Sequence, residues 1–205
     1  MNAIIVRQCS WTTRFEVATN GERLEDVRVN KVREVLFQDS GDPHPVIWSW
    51  LTNGVVASYF FPARIRTQLL KMLGLDVSSR ASVRPGVFFR SKKVKIGPGT
   101  FIGFNAFFDC RAGIVIGKNV GIGSYTVFVD HDHDIDDPSR RAGVGFAKPI
   151  VIGDGVRIST RTMIMPGVTV GDGAVIGAGS IVTRDVEAHC LYFGSPAKKQ
   201  RELPR

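Results

Sequence analysis

Residues 152–182 read IGDGVR-ISTRTM-IMPGVT-VGDGAV-IGAGSI-V, and every sixth position is aliphatic: Ile152, Ile158, Ile164, Val170, Ile176 and Val182. The fifth place of each hexad holds a small or β-branched residue, namely Val156, Thr162, Val168, Ala174 and Ser180. Side chains alternate sides along a strand, so positions one and five can both face inward, with a turn between successive strands. Stacked coils of this kind bury one continuous aliphatic column and satisfy the backbone from coil to coil. An amphipathic helix would need apolar residues at three- and four-residue intervals, and it would not accept GDG or GAG in alternate turns. The stretch therefore predicts an all-β solenoid, a parallel β-helix of hexapeptide repeats.

The register extends upstream through Ile96, Ile102 and Phe108, then Ile116, Ile122 and Phe128. The gap of eight between Phe108 and Ile116 implies two inserted residues near Arg111–Gly113. Further back, Val77, Val83 and Phe89 keep the period before a one-residue slip to Ile96. The solenoid is thus expected over 76–187. It has one large break, between Phe128 and Ile152, where VDHDHDIDDPSRRAGVGFAKPIV cannot fill an apolar column. That stretch, taken as 129–151, is expected to leave the solenoid as a loop, where function tends to sit on a rigid scaffold.

Residues 1–75 are read as a flanking region of helical or mixed character. Its last part, ARIRTQLLKMLGL (63–75), places Ile65, Leu69, Leu70 and Leu73 at helical spacing with Arg and Lys opposite, and Gly74 ends it. Such a helix would cap the first coil, whose strand edges are otherwise unpaired. Residues 46–63 carry no charge, but Asn53, Gly54 and Pro62 interrupt them, so a packed helical region is expected rather than a membrane span. Residues 188–205 form a basic tail with Lys198, Lys199, Arg201 and Arg205.

Of the 205 residues 43% are apolar and 22% charged, which excludes global disorder. The net charge of +8 calls for an anionic partner. Nucleic-acid motifs are absent from the sequence, a small polyanionic cofactor fits, and peripheral membrane proximity stays open. Cys9, Cys110 and Cys190 are odd in number and widely spaced, and the N-terminus has no positive region ahead of an apolar run. A reducing, cytoplasmic setting is expected.

The chemistry concentrates in Asp130-His131-Asp132-His133-Asp134, followed by Asp136, Asp137 and Pro138. Carboxylates beside a histidine can fix its tautomer and raise its basicity, as a general base for a hydroxyl requires. Asp134, Asp136 or Asp137 could orient it. His133 and His131 both qualify, and no third histidine stands at matching spacing on a neighbouring coil, so no metal is expected.

Five ordered motifs carry a resemblance over residues 57–201: HDxxDP (133–138), KPIxIG (148–153), PGVTxG (166–171), GAGSxVT (177–183) and GxPA (194–197). They resemble the hexapeptide-repeat acyltransferases, and within them the maltose/galactoside O-acetyltransferase and colanic-acid-type polysaccharide acetyltransferase group. The resemblance implies a left-handed β-helix assembled as a homotrimer with active sites between subunits. It implies acetyl-CoA as acyl donor, a sugar or polysaccharide-precursor hydroxyl as acceptor, and His133 as general base in direct transfer, with a backbone amide stabilising the oxyanion. Cofactor contacts carried over residue by residue are Thr160, Ala178, Thr183, Arg184, Lys198 and Arg201. Gly103 stands where the family commonly has a polar residue near the acceptor, and Asn105 is expected to contribute instead. The alternatives are an antibiotic acetyltransferase of the same fold, a zinc hydratase on the same solenoid, and a non-catalytic trimeric scaffold.

Overall fold

A computed structural model describes residues 45–204. Its nineteen strands belong to three sheets or to the hairpin described below, and each full coil gives one short strand to each sheet. The first face holds β1 (Asp76–Val77), β4 (Val94–Ile96), β7 (Ile114–Ile116), β12 (Ile150–Ile152) and β15 (Thr169–Val170), all parallel. The second holds β2 (Ser82–Val83), β5 (Phe101–Ile102), β8 (Gly121–Ile122), β13 (Arg157–Ile158), β16 (Val175–Ile176) and β18 (Cys190–Gly194). The third holds β3 (Phe88–Phe89), β6 (Phe107–Asp109), β9 (Val127–Val129), β14 (Met163–Ile164) and β17 (Ile181–Val182). The chain is a β-solenoid.

The hexad residues fill its interior. Ile96, Ile102, Ile116, Ile122, Ile152, Ile158, Ile164, Val170, Ile176 and Val182 are all buried. In the earlier coils the third column is aromatic: Phe89, Phe108 and Phe128 stack with centroids 5.1 and 4.8 Å apart and planes within 15°. Repetition of one strand register every coil brings like side chains into vertical contact, and offset aromatic stacking adds to their burial.

The first coil's open edge is covered by α1 (Pro45–Ser49), a π-helical turn (Trp50–Val56) and α2 (Ala63–Met72). The covering is polar as well as apolar. Asn53 reads the backbone of Phe89 twice, its Nδ2 donating to the carbonyl and its Oδ1 accepting from the amide, each at 2.9 Å. Thr67 Oγ1 donates to the Ala81 carbonyl, and the Gly86 amide donates to Ala57. These bonds satisfy strand groups that no preceding coil can reach.

One expectation about α2 is corrected. Ile65 is exposed, and Arg66, expected on the solvent side, is buried at 1% exposure beside Thr67 and Leu70. Its guanidinium donates to the carbonyls of Val56, Ser58, Phe61 and Val83, joining the cap's turns to the first coil. A rigid fork of donors suits a cluster of terminal carbonyls that an aliphatic side chain would leave unpaired.

Two further elements differ from a plain loop and a plain tail. Residues 131–147 form an antiparallel hairpin of β10 (His131–His133) and β11 (Gly145–Ala147). Residues 190–202 form a second, in which β18 lies parallel on β16 and β19 (Ala197–Glu202) turns back along it. Among the described residues no helix is long and apolar enough to cross a membrane.

Candidate active site

The 131–147 hairpin leaves the solenoid where the third face meets the first, and Asp130 builds its base. The Asp130 carboxylate is fully buried and accepts from the amides of Arg111, Ala112 and Gly113 at 2.7–2.9 Å. Those three residues span the two-residue insertion after Phe108. The carboxylate of one coil thus closes the irregular corner of the coil before it, a backbone nest for an anion. The Asp130 carbonyl also accepts from the Lys148 amide at 2.7 Å, which pins the returning strand.

His133 ends β10 with its side chain exposed, and its Nδ1 lies 3.1 Å from the Gly143 carbonyl oxygen. A carbonyl only accepts, so Nδ1 carries the proton in the neutral ring, and the lone pair sits on Nε2. Cross-strand from His133 is Gly145, where an added Cβ would meet the imidazole Cε1 at 3.4 Å. The hairpin therefore holds one tautomer of an accessible imidazole, with the basic nitrogen free.

Asp134 and Asp137 do not touch that ring among the bonds the structure makes. Asp134 Oδ1 accepts from the Asp136 amide, and the Asp134 backbone pairs with Gly143 and Val144. Asp137 Oδ1 accepts from the Ser139 amide and hydroxyl at 2.8 and 2.7 Å, bonds that hold its carboxyl below the usual carboxylate range. Both shape the tip that presents Gly143. His131 sits apart from His133: its ring is mostly covered, with Nε2 3.7 Å from Asp109 and Nδ1 3.6 Å from Asp130.

The other expected residues fall on different edges. Asn105, Thr160 and Ala178 line up where the second face meets the third. An amide-to-carbonyl ladder climbs that corner, from Asn105 to Pro85, Tyr125 to Phe104, Arg161 to Ser124 and Gly179 to Thr160. The ladder demands a left-handed backbone at each step, and Asn105, Tyr125, Arg161 and Gly179 have φ between +54° and +69°. Only glycine adopts it without strain, so the Tyr125 and Arg161 side chains stand out from this edge under stack-imposed geometry. Thr160 and Ala178 are exposed there, and an added Cβ at Gly179 would meet nothing within 4 Å. Lys198 and Arg201 are exposed on β19, opposite Phe193 and Leu191 at the late end of the second face. Thr183 and Arg184 follow β17 on the hairpin's edge.

Between these two edges lies the third face, whose outward column is Phe88, Phe107, Val127, Met163 and Ile181. The column is apolar throughout, and Phe88 and Phe107 stack at 4.7 Å. Among the described residues no three His, Cys, Asp or Glu side chains come together as a metal-ligating group.

The bacterial transferase hexapeptide family (six repeats) matches residues 149–184, and the hexapeptide repeat of succinyl-transferase matches residues 93–124. The galactoside O-acetyltransferase of Escherichia coli K12 is 34% identical over 139 residues, which is 67% of this chain and 68% of that protein. The chain belongs to the hexapeptide-repeat acetyltransferase family. Among solved family members, a hexapeptide-repeat acetyltransferase of Vibrio cholerae complexed with acetyl coenzyme A is 30% identical, with a TM-score of 0.62 over 84% of this chain and 89% of that one. A galactoside acetyltransferase in complex with coenzyme A is 26% identical, with a TM-score of 0.66 over 90% and 92%.

Within that family's framework, sequence reasoning passed over Asp130 as a structural carboxylate and the Gly143 carbonyl as the partner of His133. A carbonyl carries no residue-type signal. The signal for Asp130 was present but indirect, since an insertion at a coil corner needs an acceptor for its amides.

Proposed function

We propose that the chain transfers an acetyl group from acetyl-CoA to a sugar-type hydroxyl, with His133 as general base. The carrying observation is the exposed His133 ring, whose Nδ1 lies 3.1 Å from the Gly143 carbonyl oxygen, an arrangement that leaves the neutral ring's lone pair on Nε2. The acceptor O–H gives its proton to Nε2 as the oxygen attacks the thioester carbonyl carbon. The tetrahedral intermediate then collapses, the C–S bond breaks, and the imidazolium returns the proton to the departing thiolate. Atoms and charge balance without an acyl-enzyme. Cys110 supports that reading, because it is buried and burial pushes its thiol above the ordinary range. Asp134 and Asp137 serve by holding the hairpin tip.

The edge of Thr160 and Ala178 suits acetyl-CoA. Its later coils are open, with the small Ala178 and Gly179 exposed beside Thr160, and Lys198 and Arg201 lie exposed on the neighbouring hairpin for the phosphates. Thr183 and Arg184, on the other edge, would meet the donor from the hairpin side. One copy keeps the two edges on opposite sides of the third face. Three copies packed through the apolar column of that face would bring the hairpin of one against the open edge of the next. We therefore propose a homotrimer with sites between subunits and Asn105 on the acceptor side.

The test is a panel of galactosides, maltose, oligosaccharides, nucleotide sugars and aminoglycosides incubated with acetyl-CoA, read by thiol release and by NMR of the product. An O-acetylated sugar is the expected product. Acetylation of aminoglycosides alone would replace the sugar reading with the antibiotic one, and no thiol release with any acceptor would refute the enzyme.

A further inference from the structure

Below His133, a column of charged side chains climbs the same edge of the solenoid. Arg90 follows β3 in the first coil, Asp109 ends β6 in the second, and His131 begins the hairpin after the third. Arg90 pairs with Asp109 at 3.1 Å, and Asp109 approaches His131 Nε2 at 3.7 Å. Side-chain exposure falls along the column, from 31% to 17% to 13%. On the ring's other side, Nδ1 lies 3.6 Å from the buried carboxylate of Asp130 and is itself buried with no hydrogen bond made.

Both nitrogens of His131 therefore face carboxylate oxygens. Both contacts are longer than a hydrogen bond, so the ring is wedged between two carboxylates rather than bonded to them. Asp130 is already committed to three backbone amides and Asp109 to Arg90, so neither can turn away. His133 is two residues further along the same strand, on the same side. We propose that His131 is a positioning residue whose covered ring, set between Asp109 of one coil and Asp130 of the next, fixes the strand that presents His133. This assigns the two histidines of the motif different work: the covered one anchors and the exposed one reacts. Its functional consequence rests on His133 being the base, while its structural part does not.

The test uses the full chain with His131→Gln, Asp109→Asn and their double variant, and His133→Ala for comparison, with the best acceptor from the panel above. Loosening the strand misplaces the base without touching the donor site, and an error of order 1 Å costs up to about a hundredfold in rate. The expected result is a kcat lowered about tenfold to a hundredfold in His131→Gln and in Asp109→Asn, with KM for acetyl-CoA unchanged. The double variant should be no slower than either single one, because both remove one link. Amide hydrogen exchange, which needs no acceptor, should quicken over residues 131–147 in those two and in their double variant while the coils at 150–182 keep their protection. Normal kcat and normal exchange in His131→Gln overturns the proposal. Multiplicative losses, or exchange that quickens throughout the coils, overturns it in favour of a general packing role. A dead His131→Gln beside a normal Asp109→Asn and an active His133→Ala makes His131 itself the base. A silent His133→Ala with quickened hairpin exchange in the other variants refutes the base and leaves the anchor standing.

Discussion

Replacing Asp130 by Ala removes the acceptor of three backbone amides at once. Hydrogen bonds to a buried carboxylate contribute about 1.5–3 kcal/mol each. The donors belong to Arg111 and Gly113, which are half-buried, and Ala112, which is exposed, so water can replace part of the loss. About 1 kcal/mol per donor, or roughly 3 kcal/mol in total, is the expected destabilisation. Asp130→Asn is milder. Its amide oxygen can occupy the Oδ2 position, which serves Ala112, Gly113 and one of the two contacts from Arg111, and only the Oδ1 contact is lost. That variant should lose about 1 kcal/mol. Urea unfolding followed by circular dichroism, repeated at two protein concentrations to separate folding from assembly, reads both values. Equal stability of Asp130→Ala and the parent chain, or a larger loss in Asn than in Ala, would refute the anion-nest reasoning.

Arg66→Ala should cost about 3–5 kcal/mol, because the carbonyls of Val56 and Val83 lose a buried charged donor and the cap loses its packing; the same unfolding assay reads it. Cys110 should resist iodoacetamide in the folded chain and react once it is unfolded, as peptide mapping by mass spectrometry would show, since a buried thiol kept protonated is a poor nucleophile. Glu187 is held below its ordinary range by the Lys199 ammonium at 2.8 Å and by the Tyr192 hydroxyl. A lowered folded value contributes stability above the ordinary carboxylate range, and that contribution fades as pH falls through the lowered value. Protection of the β18–β19 amides, taken relative to the intrinsic exchange rate at each pH, should therefore fall below about pH 4 in the parent chain, and less so in Glu187→Gln.

The solenoid could be read from the sequence because one side-chain rule repeats in every coil. An aliphatic or aromatic residue at Val77, Phe89, Phe108, Ile122 or Ile164 has a single inward position to occupy, and its neighbours six residues away obey the same rule. Irregular features had no such repetition behind them. Arg66 looked like the solvent side of an amphipathic helix, since nothing local shows that three carbonyls of the cap and one of the first coil converge there in need of a donor. Asp130 looked like part of an acidic motif, because its partners lie 17–19 residues back on another coil. The hairpin has no alternating pattern, and its pairing is set by Asp130 and Lys148 at its base rather than by burial of one side. For the candidate site, His133, Thr160 and Ala178 were singled out by the family resemblance, and their roles remain the proposal made above. What was not legible is that one chain places them on two edges separated by an apolar face. Spacing along the sequence reports the coil and the position in it, not how far apart the edges of the folded solenoid lie.

The central claim is that His133 Nε2 takes the acceptor's proton, and the kinetics of His133→Ala test it most directly. Loss of a general base should lower kcat by about 10²–10⁴-fold. Coenzyme A affinity and oligomeric state should hold, because the Thr160–Ala178 edge and the third face are untouched. Turnover of His133→Ala within about twofold of the parent chain, at equal acetyl-CoA saturation, would contradict the account.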